Sequence, residues 1–228
     1  MITRVLAAGV VGGIVTGLVV AALQHVTTTP LILTAEVYET AQHVHQHAAQ
    51  GATEAVATVA DALRRTMTTS LSTIAVSMGY ALILLAAMLV SGDDITPRRA
   101  ALWGACAFAA TGLATGMGLA PQLPGAAETD LAGRQLWWAA TAAASGAGLY
   151  ALLRVDDRLA QLVGLILLIA PHLFTPTPAT PESTVPAELA ARFAAASLGV
   201  QAVSWILAGA LAGMTFRALS QGEEDAPA

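Results

Sequence analysis

The sequence has no lysine, one cysteine and few charged residues. With ten arginines and a formal net charge of −5, it offers no basic surface for nucleic acid and no polybasic segment for anionic lipid. Cys106 cannot form an internal disulfide or a cysteine-rich metal site, so we expect a packing residue. A phosphate-binding glycine-rich loop with lysine and a recognisable nucleophile arrangement are also missing, so we expect neither an ATPase nor an enzyme.

What the sequence does have is long apolar runs. It is 56% hydrophobic and 11% charged, with a mean hydropathy of +0.66, whereas a soluble domain carries more polar surface. About 20 apolar residues in a row make a helix that crosses a bilayer core. We therefore predict an all-α, polytopic transmembrane helical bundle in contact with the lipid bilayer. The predicted spans are residues 5–26, 71–90, 100–119, 136–153, 159–174 and 193–216.

The number of spans is five or six. The fourth and fifth are short, and Arg154, Asp156, Asp157 and Arg158 connect them. This pattern predicts a helical hairpin, with a single broken pass as the alternative. We place all spans in one membrane domain over residues 1–220, with an outer histidine-containing loop over 27–70 and a disordered acidic tail over 221–228.

Arginine positions bear on orientation. With six spans and the N-terminus in the cytoplasm, six arginines lie inside and four outside, which favours that orientation. The four tryptophans fall mostly near span ends and are expected to anchor the helices at the interface.

Glycines recur at four-residue spacing within three spans. Such spacing lines one helix face with small residues and lets helix backbones approach closely, so it predicts glycine-rich helix interfaces. The glycines are Gly9, Gly13, Gly17, Gly112, Gly116, Gly209 and Gly213.

Chemistry-bearing residues concentrate after the first span, in TAEVYETAQHVHQHAAQ. If this segment is helical, Glu36, Glu39, His43 and His47 lie on one stripe and His45 points elsewhere. If it is extended, all three histidines share a face. Imidazoles with nearby carboxylates suit first-row divalent metals such as Co²⁺ or Ni²⁺. The alternative is a solvated linker.

Two further histidines lie at predicted outer span ends. His25 lies near the end of the first span, and His172 follows Pro171 at the end of the fifth. Each could be a packed residue, or the two together could form a second metal position. Glu182 and Glu188 could face His172, so that imidazole and carboxylate groups together line the mouth of the ion path.

The predicted spans contain no Asp, Glu, Lys or Arg, so no proton-coupling group is obvious within them. The polar residues expected at depth are Thr16, Ser77, Thr111, Thr115, Gln161, Gln201 and Ser204.

Several motifs together resemble the cobalt transporter subunit family CbtA. They are TPLILTAEVYE at 29–39, the histidine-rich stretch after it, PQLPG at 121–125, RQLWW at 134–138, APHL at 170–173 and VPAELAARF at 185–193. Gln122 stands where the family motif leads us to expect a glutamate, and Arg64 stands where a glutamate is common.

The resemblance implies a membrane subunit in the bacterial cytoplasmic membrane that imports cobalt for cobalamin synthesis. It also implies a small single-span partner, CbtB, and no tightly bound cofactor. A membrane metal sensor or assembly factor that does not conduct ions is the alternative function. The expected metal-binding residues are His43, His45, His47, Glu36, Glu39, His25 and His172.

Overall fold

A computed structural model describes residues 1–47, 59–127, 129–178 and 182–224, which contain helices and no strand. The predicted all-α architecture is confirmed. The helices are α1 (Ile2–Val26), α2 (Thr28–His47), α3 (Val59–Val90), α4 (Pro97–Phe108), α5 (Ala114–Gly118), α6 (Leu131–Arg154), α7 (Arg158–Ile169) and α8 (Ala187–Glu224). A π-helical turn (Ala109–Leu113) joins α4 to α5, and a 3-10 turn (Ala170–Phe174) continues α7.

Five of the described helical segments are long and apolar enough to cross a membrane, judged by length and composition. The fifth predicted span, 159–174, corresponds to a shorter apolar helix, Arg158–Phe174. A multi-pass helical membrane protein is therefore confirmed. The five are Ile2–Val26, Val59–Val90, Pro97–Gly118, Leu131–Arg154 and Ala187–Gln221.

Some helices extend beyond the predicted spans. At 1.5 Å per residue, the 32 residues of α3 reach about 48 Å, whereas a bilayer core is about 30 Å thick. The segment 27–70, predicted as a loop, is helical over Thr28–His47 and again from Val59. Its location outside the membrane stays a prediction. Helix α8 continues to Glu224, and the rest of the predicted acidic tail lies outside the described residues.

The chain divides into two compact units. Unit 1 comprises Met1–Val26, Ala52–Ala105 and Val200–Ala228; unit 2 comprises Thr27–Gly51 and Cys106–Gly199. The long helix α8 contributes to both. The single membrane domain expected over residues 1–220 stays a prediction.

In unit 1, α1 packs on its neighbours through glycines. A Cβ on Gly13 would collide with the Met78 backbone of α3, and a Cβ on Gly12 would lie 2.6 Å from the Ala212 nitrogen of α8. Gly209 has no room for a Cβ either, because the Ala100 carbonyl occupies that space. The predicted glycine interfaces are confirmed here. The core beside them consists of Val5, Ala8, Ala81, Leu85, Ala208 and Ala212.

Side-chain and backbone hydrogen bonds close the connections. After α3, the Asp93 N–H donates to Met88 O (2.9 Å) and the Gly92 N–H to Leu89 O (3.1 Å), with Gly92 at φ +68°. This is a Schellman motif, in which glycine supplies the left-handed residue. Trp103 then donates from Nε1 to the Asp93 carboxylate at 2.8 Å.

The α6–α7 connection is a helical hairpin, as predicted. The Asp157 carboxylate accepts from the Ala160 N–H at 2.8 Å and caps α7. Gly148 of α6 and Gly164 of α7 face each other: a Cβ on either would lie within 2.8 Å of the other's carbonyl oxygen.

We expect Gly13→Ala to lower the stability of the purified chain by about 1–3 kcal/mol, because the new methyl must push the α3 backbone away. Gly79→Ala on α3 is the matched control, since nothing lies within 4 Å of a Cβ there. The measurement is the melting temperature in detergent. Equal melting temperatures for the two variants would contradict the α1–α3 contact.

Candidate metal and ion site

Three motifs that carry the resemblance meet in an apolar cluster in unit 2. Ala35 of α2, Leu123 of the PQLPG turn, and Val185 and Phe193 at the start of α8 are all buried there. Leu31, Ile32, Leu189 and Ala190 pack against them. Segments far apart in the sequence are thus held together by apolar contact, and the cluster fixes the first half of α2.

A tight turn at Gly125 joins two of these segments. The Thr184 N–H donates to the Gly125 carbonyl at 3.1 Å, and the Thr184 hydroxyl donates to the same oxygen at 3.2 Å. Gly125 has φ +80°, a left-handed conformation that favours glycine. Gln122 donates from its amide to Ala127 O at 3.4 Å, a bond that an ionised glutamate could not make.

A second group in unit 2 surrounds His172. The Trp137 indole donates from Nε1 to Pro171 O at 2.8 Å, and its ring meets the His172 ring edge-on, with centroids 6.1 Å apart. The Thr175 hydroxyl donates to His172 O at 3.1 Å. Gly118 admits the Trp137 ring, because a Cβ there would collide with it. These contacts hold His172 at one place against α6.

Pro171 breaks the regular helix next to His172. Proline has no N–H, so it cannot donate to the Leu167 carbonyl four residues earlier, and its ring disfavours a continued α-helix. The helix accordingly changes to a 3-10 turn at Ala170. An indole N–H then satisfies the Pro171 carbonyl. Trp137, expected only as an interfacial anchor, is 7% exposed and positions the histidine turn.

The predicted metal-binding residues divide among several places. His25 is exposed at the end of α1 in unit 1, Glu36 is half-buried on α2, and His172 is half-buried in unit 2. Among the side chains that the structure describes, no three His, Cys, Asp or Glu lie close enough together to hold a metal ion. Glu188 pairs with Arg192 at 2.6 Å on its own helix, so the expected mouth with His172 does not form within the described part.

The histidine-rich segment is backbone-helical as far as His47. Of the two alternatives, this fits the helical register, in which Glu36, Glu39, His43 and His47 follow one another at intervals of three and four residues. The side chains of residues 39–47 lie outside the described part. Binding of metal by this segment stays a prediction.

One polar stripe was missed by the sequence reasoning. Trp137, Thr141, Ser145 and Gly148 form the buried face of α6, and none of the four was expected at depth. Their spacing could have revealed them, because these residues recur at intervals of four, four and three in a helix otherwise rich in alanine and leucine. The stripe begins beside His172 and runs along α6.

The five described helices that are long and apolar enough to cross a bilayer define a polytopic helical membrane protein. The sequence matches the family described as "Probable cobalt transporter subunit (CbtA)" over residues 2–217. The chain therefore belongs to the CbtA family, as the resemblance indicated. No curated protein and no solved structure is significantly similar to it.

We expect Trp137→Phe to lower the free energy of unfolding by about 1 kcal/mol, because the ring remains while the N–H to Pro171 is lost. His172 should then react faster with a histidine-modifying reagent. Trp138→Phe is the matched control, since Trp138 is adjacent and 47% exposed. The contact with Pro171 would be disproved if both variants melted and reacted alike.

Proposed function

We propose that the chain is the membrane subunit of a cobalt importer that supplies cobalamin synthesis. The family match over residues 2–217 carries the proposal. The five helices long enough to cross a bilayer support it, since transport needs such helices. The chain has no catalytic role in this proposal; it works in the bacterial cytoplasmic membrane with a small single-span subunit of the CbtB type.

Metal is collected outside and passed inward. Glu36, Glu39, His43, His45 and His47 concentrate Co²⁺, or Ni²⁺, before it enters. Imidazole and carboxylate ligands suit both ions and leave the choice between them to supply and geometry. The helical backbone of α2 supports the stripe of two carboxylates and two imidazoles, which lets one ion contact successive turns.

His25 and His172 then receive the ion at the membrane edge. The defined setting of His172 against Trp137 supports this role, because a ligand held by its neighbours loses less freedom when it binds. The buried hydroxyls of Thr141 and Ser145 lie farther along α6 from Trp137, and they are not cobalt ligands in this proposal. A polar stripe at this depth favours transport over a sensor with a wholly apolar core. The N-terminus lies in the cytoplasm.

The histidine-rich stretch should dominate equilibrium metal binding. Replacing His43, His45 and His47 together with alanine should weaken Co²⁺ binding to the purified full chain by about tenfold or more. Equilibrium dialysis measures this affinity. A triple alanine variant of Gln42, Gln46 and Gln50 is the matched control. Identical affinities in the two triple variants would exclude the histidines as ligands.

Cobalt uptake tests transport itself. In cells that express the chain with its small partner, uptake of radioactive cobalt should fall to background in His25→Ala and in His172→Ala, because each removes a ligand at the entrance. The His43, His45, His47 triple variant should only slow uptake at low cobalt. Leu173→Ala, an exposed neighbour of His172, should behave as wild type. Cobalt binding without uptake in any combination would instead indicate a sensor or assembly factor.

A further inference from the structure

Two hydroxyl groups on the buried face of α6 have no hydrogen-bond partner. Thr141 and Ser145 are both fully buried, and neither Thr141 Oγ1 nor Ser145 Oγ is bonded. They lie four residues apart, so they sit one helical turn apart on the same face. A buried hydroxyl without a partner is destabilising, so this pair calls for an explanation.

Other threonines in the described membrane helices avoid this cost by bonding to their own backbone. Thr16, Thr111, Thr115 and Thr215 each donate to the carbonyl four residues earlier, at 2.7–2.9 Å. Thr141 and Ser145 have the same option, since α6 is helical throughout. Neither hydroxyl makes that bond, although both residues are fully buried.

The π turn packs against α6, on which these hydroxyls lie. Gly118 lies against Trp137, and the two helices leave one connection in opposite directions, so Ala114 is level with Thr141 and Ala110 with Ser145. At this level the Ala114 N–H donates to Ala109 O, five residues back, and bypasses Ala110 O. The regular series of backbone hydrogen bonds is therefore interrupted at Ala110, which is level with Ser145. π turns of this kind occur often at functional sites.

A second irregular stretch of backbone, the helix break at Pro171, lies at the end of α7, which also packs against α6. Pro171 contacts Trp137, and Gly164 of α7 contacts Gly148 of α6, so Leu167 lies level with the turn between Thr141 and Ser145. Pro171 has no N–H to donate to the Leu167 carbonyl. Two irregular pieces of backbone, one on each neighbouring helix, thus flank two unbonded hydroxyls.

From this arrangement we propose that Thr141 and Ser145, with carbonyls of the π turn and of Leu167, form a binding site for an alkali cation, Na⁺. Hydroxyl and carbonyl oxygens are hard, neutral ligands, and irregular helix backbone is a recurrent source of Na⁺ ligands in transporters. A role of this Na⁺ site in transport rests on the proposed function, in which Na⁺ entry would be coupled to cobalt entry. Na⁺ binding at the site does not depend on that function.

The ligand set discriminates against a divalent metal. The segments Pro97–Gly118, Leu131–Arg154 and Arg158–Phe174 contain no Asp or Glu, and their one histidine is His172 beside Trp137. Divalent cations lose their water reluctantly and are usually bound through carboxylates or imidazoles. A single positive charge among neutral oxygens is the better match.

The test is the melting temperature of the purified full chain in NaCl and in choline chloride at equal ionic strength. At a Na⁺ concentration about tenfold above Kd, wild type should melt about 4 °C higher in NaCl. The rise should vanish in a Thr141→Val, Ser145→Ala double variant, which removes the hydroxyls at nearly constant volume. It should persist in Thr141→Ser and in Thr215→Val, whose hydroxyl is bonded to its own helix.

Three results would overturn the site: no difference between NaCl and choline chloride for wild type, a rise that survives in the double variant, or a rise that CoCl₂ produces through the same two hydroxyls. If the double variant does not fold, Ser145→Ala alone is judged by the same criterion. Loss of cobalt uptake with an intact Na⁺ response would reject cobalt transport and leave the site standing.

Discussion

Direct contact between helix backbones at glycine is the constraint on which the rest of the structure depends. Lipid chains are as apolar as leucine, so membrane helices gain little from hiding apolar surface from one another and depend on close packing. The dispersion attraction between packed atoms falls steeply with distance, and a gap of about 1 Å between two helices removes up to roughly half of that attraction. In unit 1, Gly12 and Gly13 bring α1 against two helices at once, on neighbouring positions of one turn.

The same contact sets the chemistry in unit 2. Gly148 and Gly164 fix how α7 slides along α6, and Gly118 makes room for the Trp137 ring. Trp137 then reaches the Pro171 carbonyl, and this contact places His172. A shift of one residue along α7 would turn the histidine by about 100° and move its backbone by about 1.5 Å. Glycines far from His172 therefore decide where its imidazole lies.

The sequence predicted the helices better than the site because the two depend on different information. Apolar runs reveal where helices cross, and the glycine spacing revealed interfaces later seen at Gly13 and Gly209. Helix bounds were less accurate, since hydrophobicity ends where α3 and α8 continue as polar helix. The π turn over Ala109–Leu113 left no distinguishing local signal, because its Ala-Thr-Gly sequence recurs at 114–116, where the helix is regular.

Partners of side chains were harder still. Trp137 has the composition of an interfacial anchor, and only the hairpin brings Pro171 to its N–H. Thr111 and Thr115 were expected at depth and bond to their own helix, whereas Thr141 and Ser145 were not expected and remain unbonded. Residue type alone cannot separate these pairs, since each hydroxyl has an identical carbonyl four residues earlier.

The division between charged or imidazole ligands at helix ends and neutral oxygens at depth has a physical reason. A charged side chain in the hydrocarbon costs several kcal/mol, and tight ligands there would also hold an ion too strongly to release it. In the proposed importer, histidines and glutamates outside the middle of the spans would collect a scarce metal without that cost. Deeper positions favour neutral ligands, which suit the single charge of an alkali cation better than a divalent metal. The buried face of α6 has such neutral oxygens, and the charged residues of α6 are limited to Arg134 and Arg154 near its ends.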